Sequence, residues 1–181
     1  PCHWDKKIID EILAQNSRIT NIEIKEIYGC LARGPIAHGR APNTVPNVTK
    51  KEAINFRKYV RSLGFRFTYL LNAPFEFKTK KQKKEIKSYL DWIIDELEAD
   101  SLMIASYPLM KFIRENYSSN IPIYISTIAG ILNAKQLECF LEIHPSRIVP
   151  HHDINRNFKD LKELIKKTEK SVYDDLPMSF V

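Results

Sequence analysis

The feature that most constrains this chain is a repeated alternation of two hydrophobic periods. Segments with an apolar residue at every second position give way to segments whose apolar residues recur on one helical face. "DKKIIDEILAQN" groups Ile8, Ile9, Ile12 and Leu13, with Asp5 placed as N-cap. "NIEIKEIYG" alternates Ile22, Ile24 and then Ile27 and reads as a strand ending near Tyr28 and Gly29. Thr49 and Glu52 have capping-box spacing before "KKEAINFRKYVRSLG", which Gly64 should stop. The same alternation continues through "FRFTYLLNA", "TKKQKKEIKSYLDWIIDELEA", "DSLMIAS", "YPLMKFIRENY", "IPIYIST", "NAKQLECFLEI", "SRIVPHHD" and "NFKDLKELIKKTEK". "LPMSFV" then starts a sixth strand pattern.

Strand–helix alternation predicts right-handed βαβ units and a parallel sheet, hence an α/β fold. Two architectures satisfy it. One is an open doubly wound sheet of about five strands. The other is a (β/α) TIM-type barrel truncated after about five βα units, since a full barrel takes roughly 250 residues. The sixth strand pattern favours the truncated barrel. With no further repeat and no low-complexity linker, residues 1–181 are expected to form a single domain. The first residue is Pro1, not Met, and the chain is expected to be a piece of a longer one.

Both architectures gather ligands at the C-terminal ends of the strands. That rule singles out Tyr28, Asn72, Ser106, Ser126 with Thr127, and the stretch from His151 to Arg156. It also singles out "GPIAHGRAPNTVPN", Gly34 to Asn47, which directly follows the first strand. This segment holds three of the ten prolines and two of the five glycines, so it is neither helix nor central strand. A loop of that length is functional or disordered; its position argues that it folds over the functional end.

Within it, Arg40 can fork onto a carboxylate or phosphate, or merely pack the loop. His38 can move a proton or simply be solvated, and Asn43 can bind ligand or make a turn. Tyr28, Tyr69 and Asn72 lie on or at the ends of strands, where they touch ligand or serve only as strand formers. Asn155 and Arg156 either capture an anion at a helix start or leave capping to Asn155 or Asn157. His151, His152 and Asp153 invite metal or acid–base chemistry, but adjacent strand residues face opposite ways, so only one histidine, taken as His152, is expected to point inward. No metal ligand and no catalytic residue is assigned.

Composition excludes several classes. No apolar run spans a membrane, and the start lacks a signal-peptide pattern. Cys2, Cys30 and Cys139 are sparse and far apart, which suggests reduced thiols in a cytoplasmic protein. The net charge of +6 permits an anionic partner. Lys78, Lys80, Lys81, Lys83, Lys84 and Lys87 crowd a helix start against its macrodipole, which hints at an RNA backbone or is simply a solvated face. There is no HExxH, no GxSxG and no cysteine with a recognisable histidine partner.

"YGCLARGPIAHGRAPNTVPNVTKKE", "FRFTYLLNA", "IYISTIAGI" and "DINRNFKDL" occur in an order and spacing that resembles the collagenase-like peptidases of family U32. The resemblance covers nearly the whole chain and implies a TIM-type barrel. It implies one of three roles: part of an iron–sulfur-dependent enzyme hydroxylating RNA bases or a small aromatic substrate; a peptidase or other hydrolase; or a non-catalytic, barrel-like binding subunit. Any iron–sulfur cluster would take its ligands from outside this chain, since none is assignable within it. The expected partners are a small-molecule or RNA substrate and a missing C-terminal half or second subunit.

Overall fold

A computed structural model of the chain describes residues 3–18, 21, 23–41, 44–117, 120–170 and 179–180. The chain falls into two compact units, Pro1–Leu71 with Lys78–Ser101, and Asn72–Phe77 with Leu102–Val181.

In the first unit, helix α1 (Lys6–Arg18) begins where the Asp5 carboxylate accepts the Lys7 N–H at 2.9 Å, the predicted cap. Strand β1 (Glu26–Gly29) pairs in parallel with β2 (Arg66–Leu71), Ile27 opposite Phe67 and Gly29 opposite Tyr69. β1 is shorter than its pattern predicts. Ile24 is exposed, and its backbone is clasped at both ends by one side chain: Asn16 accepts from the Ile24 N–H at 2.9 Å and donates to the Ile24 carbonyl at 2.8 Å. The alternation there is satisfied by an asparagine, not a neighbouring strand.

β2 is buried at five consecutive positions, as a parallel strand covered on both faces must be. Helix α2 (Lys50–Ser62) opens with the expected capping box, Thr49 and Glu52 each accepting the other's backbone N–H. Gly64 takes φ +83 just beyond the helix end, a conformation that costs glycine little. Helix α3 (Lys80–Asp91) is capped by Thr79 and then widens into a π turn at Trp92–Glu96, where the Leu97 N–H reaches the Trp92 carbonyl at 2.9 Å. The widening buries Trp92, Ile93 and Leu97 together, which regular helical periodicity does not foretell.

Beneath these elements, Arg57 of α2 is buried. It donates to Asp100 at 2.8 Å and to the Glu98 carbonyl at 3.2 Å, while Asp100 accepts the Phe67 N–H at 2.6 Å. Burial lowers the Arg57 pKa and the Asp100 charge opposes that shift.

In the second unit, β3 (Ser101–Ile104, its first residue Ser101 counted with the first unit), β4 (Ile123–Ile125), β5 (Arg147–Ile148) and β6 (Ser179–Phe180) pair successively in parallel. Helices α4 (Tyr107–Asn116), α5 (Ala134–Leu141) and α6 (Phe158–Lys170) follow β3, β4 and β5. α4 carries Pro108 in its first turn, where the missing N–H costs nothing. Arg114 fastens the far end of α4, donating to the carbonyls of Ile143, Ile121 and His144. β5 stops at Ile148, so the predicted run to Asp153 is corrected: residues His152–Ile154 form a 3-10 turn instead. Of "LPMSFV", Leu176, Pro177, Met178 and Val181 lie outside the described residues; Ser179 and Phe180 are strand.

In each unit the strands pair in sequence order, with no reversal of the kind a doubly wound sheet requires. The architecture is therefore a partial (β/α) TIM-barrel-like arrangement of about five βα units, as the alternation predicts. No described helix is long and apolar enough to cross a membrane.

Candidate functional site

The C-terminal end of β1 carries the most developed polar constellation. Immediately beyond it the Gly34–Asn47 loop turns back on the strand. The loop anchors itself with Ile36 and His38, both buried. Gly39 then adopts φ +73. That left-handed residue reverses the backbone so that the Arg40 N–H donates to Nδ1 of His38 at 3.3 Å. The bond uses His38 Nδ1 as its acceptor. The reversal brings the Arg40 guanidinium to 5.7 Å from the centroid of the Tyr28 ring, within cation–π range.

Arg40 and Tyr28 rim a recess of about 20 Å³ walled by Trp4, Val45, Pro46 and Leu70. That volume admits about one water-sized group. Trp4 holds the wall in place by donating its indole N–H to the Cys30 carbonyl at 2.9 Å, with its ring against Phe56 and Phe67. Nothing in the sequence pattern marks Trp4, because it lies ahead of the first helix and belongs to no periodic face.

Under the loop lies a tyrosine pair. The Tyr69 hydroxyl accepts the Leu31 N–H at 3.0 Å and shares a 2.7 Å hydrogen bond with Tyr89. Burial raises the Tyr69 pKa well above its ordinary value, with the neighbouring Tyr89 adding to the effect; burial likewise pushes Tyr89 up to about 12. Both therefore act as neutral hydrogen-bonding groups. Tyr69 is almost fully buried, and its hydroxyl supports the loop from beneath. Gly34 passes so close to Tyr89 that a Cβ there would sit 2.7 Å from the phenol oxygen.

In the second unit, Asn72 is buried, and its side-chain Oδ1 has no hydrogen-bond partner among the described residues. The strand-end hydroxyls serve the chain itself. Ser106 caps α4, donating to the Phe75 carbonyl at 2.6 Å and accepting the Leu109 N–H. Ser126 accepts the Ile128 N–H, and Thr127 donates to the Pro150 carbonyl at 3.0 Å. After β5, Asn157 is the cap of α6, accepting the Asp160 N–H at 3.2 Å, which leaves Asn155 and Arg156 exposed.

The expectation that His151 and His152 face opposite ways is corrected. They stand in a turn, not a strand, and their rings lie 4.1 Å apart. Asn43 lies outside the described residues. The lysine cluster is exposed. Lys50, Lys81 and Lys84 flank an open groove beside Tyr89, while Lys87 pairs with Asp91 at 3.0 Å.

Thus Tyr28, His38 and Arg40 come together as one group, while Tyr69 joins Leu31 and Tyr89. Asn72, His152, Asn155 and Arg156 belong to the other unit. Cys30 is buried and Cys139 exposed; Cys2 lies outside the described residues.

A sequence profile of peptidase family U32 matches residues 10–175. The chain belongs to peptidase family U32. The match takes in the loop, both candidate groups and every strand but β6. Among solved structures, the U32 peptidase Mk0906 superposes over 92% of this chain and 64% of its own, with a TM-score of 0.63 at 11% identity. A GH113 beta-1,4-mannanase superposes over 99% of this chain and 66% of its own, with a TM-score of 0.52 at 13% identity. At such identities the likeness is one of fold. The chain spans less than two thirds of either structure. Comparison with curated proteins gave no match.

Proposed function

We propose that the protein is a hydrolase of the U32 type acting on peptide-like substrates, and that this chain supplies part of its substrate-binding face. The observation that carries the reading is Arg40, held over the Tyr28 ring at the C-terminal end of a parallel strand, where barrel enzymes keep their sites. A guanidinium lying against an aromatic ring keeps its in-plane N–H edge for a carboxylate. The wall beside it is apolar. A ligand suited to both carries an anionic group next to a hydrophobic one, as the C-terminal residue of a peptide does. The recess admits only the tip of such a group, so the rest of the substrate lies outside it.

The catalytic group is not assigned among these residues. The remaining strands of the barrel would come from chain outside this sequence or from a second subunit. An iron–sulfur cluster, and any hydroxylation it served, would draw its ligands from outside this chain.

The test is hydrolysis by the full-length protein of a peptide panel with free and amidated C termini. The proposal predicts cleavage, with preference for free carboxylates, and a KM raised about tenfold or more by Arg40→Ala with kcat little changed. No cleavage of any peptide would overturn the hydrolase reading; cleavage indifferent to Arg40 would overturn its assigned role.

A further inference from the structure

Three residues beyond β5 carry chemistry that the binding face at β1 does not use. His151, His152 and Asp153 each offer a ligand atom, and the three atoms lie within 4.8 Å of one another. Nδ1 of His151 is 3.3 Å from one Asp153 carboxylate oxygen, and Nε2 of His152 is 3.3 Å from the other. We propose that His151, His152 and Asp153 form a binding site for a divalent transition-metal ion of the zinc type.

The spacing supports it first. Zinc bonds of about 2.0–2.2 Å at tetrahedral angles set ligand atoms roughly 3.3–3.6 Å apart. Both histidine–carboxylate separations fall there, each to a different Asp153 oxygen, and with one ligand atom per residue all within 4.8 Å the side chains need only draw in to close on one ion. Convergence supports it second. Two imidazole rings with centroids 4.1 Å apart share a single carboxylate, so three side chains of ligand type meet at one place.

The backbone supports it third. The 3-10 turn at His152–Ile154 folds the chain so that three consecutive side chains converge, which an extended strand forbids. The Asp153 N–H approaches His151 Nδ1 only at 3.4 Å, a long bond that an ion can displace at small cost.

Two nitrogens and one carboxylate suit zinc, cobalt or nickel better than calcium or magnesium, which prefer all-oxygen shells. His152 and Asp153 are exposed, so the remaining coordination positions open to solvent and would hold water, as in zinc sites that keep an open position. The site does not depend on the hydrolase reading.

The experiment is zinc and cobalt titration of the full-length protein and of three variants, His151→Ala, His152→Ala and Asp153→Asn. The expected result is one equivalent of metal per chain that binds about tenfold or more weakly in each variant, with the visible spectrum of bound cobalt reporting tetrahedral geometry. Equal stoichiometry and affinity in wild type and all three variants would overturn the proposal. A second readout needs no substitution: zinc should protect the exposed His152 from carbethoxylation. Unchanged modification at saturating zinc would equally overturn it. Calcium in place of zinc should give no protection, and protection by calcium would contradict the assigned ligand class.

Discussion

The backbone N–H of Arg40 donates to Nδ1 of His38 across a single left-handed glycine. That local bond sets the whole β1 site. It fixes where the Arg40 side chain leaves the loop, and so where its half-buried guanidinium meets the Tyr28 ring. A buried imidazole here serves as a backbone acceptor, and the function falls to the residue it positions.

Gly39 is therefore the hinge of the site. At φ +73, a Cβ costs roughly 1 kcal/mol. Gly39→Ala should lower stability by about that much and, because the reversal relaxes, weaken substrate binding more than it lowers the melting temperature. Urea unfolding and peptide titration on the same variant separate the two effects. Equal binding in wild type and variant would show that the turn does not position Arg40.

The tyrosine pair gives an alkaline limit. Tyr89 titrates near 12 in the folded protein because burial disfavours the phenolate, against an ordinary value of about 10 in the unfolded chain. Between those values the native state holds more protons than the unfolded state, so stability is complete below about pH 10 and falls as pH rises. The loss from Tyr89 reaches roughly 2 kcal/mol by pH 12. Urea midpoints between pH 8 and 11.5 should decline from about pH 10 upward, less steeply in Tyr89→Phe. A flat profile in the parent protein would contradict the burial of the pair.

Asn72 separates structure from function. Its amide oxygen is buried and unpartnered, so replacing it removes an unmet acceptor as well as some packing. Asn72→Leu should leave stability within about 1 kcal/mol of wild type, while reducing the proposed peptide hydrolysis by the full-length protein. Large destabilisation with unimpaired turnover of the folded fraction would show that the amide is structural.

The parallel fold was legible because each helix and strand announces its period locally, and caps such as Thr49 with Glu52 need only neighbours in sequence. The misreadings have tertiary causes. Ile24 alternates like a strand residue, but Asn16 satisfies its backbone. "SRIVPHHD" reads as one strand, yet the chain turns at His152, and that turn alone brings the two histidines together. In the site, Tyr28 was visible as a strand-end candidate and Arg40 as a candidate in the loop that follows. Trp4 was not, because its place depends on a hydrogen bond to Cys30 twenty-six positions away. The same holds for Arg57, whose burial follows from Asp100 and Glu98 on another element.

The most direct test of the account is calorimetric titration of the full-length protein with one peptide in two forms, C-terminal acid and C-terminal amide, against wild type and Arg40→Met. The account predicts that wild type favours the acid by about 1.5–3 kcal/mol, the usual worth of a hydrogen bond to a charged group, and that Arg40→Met abolishes this preference while binding the amide as before. Equal affinity of wild type for the two forms, or a preference that survives the loss of Arg40, would contradict it.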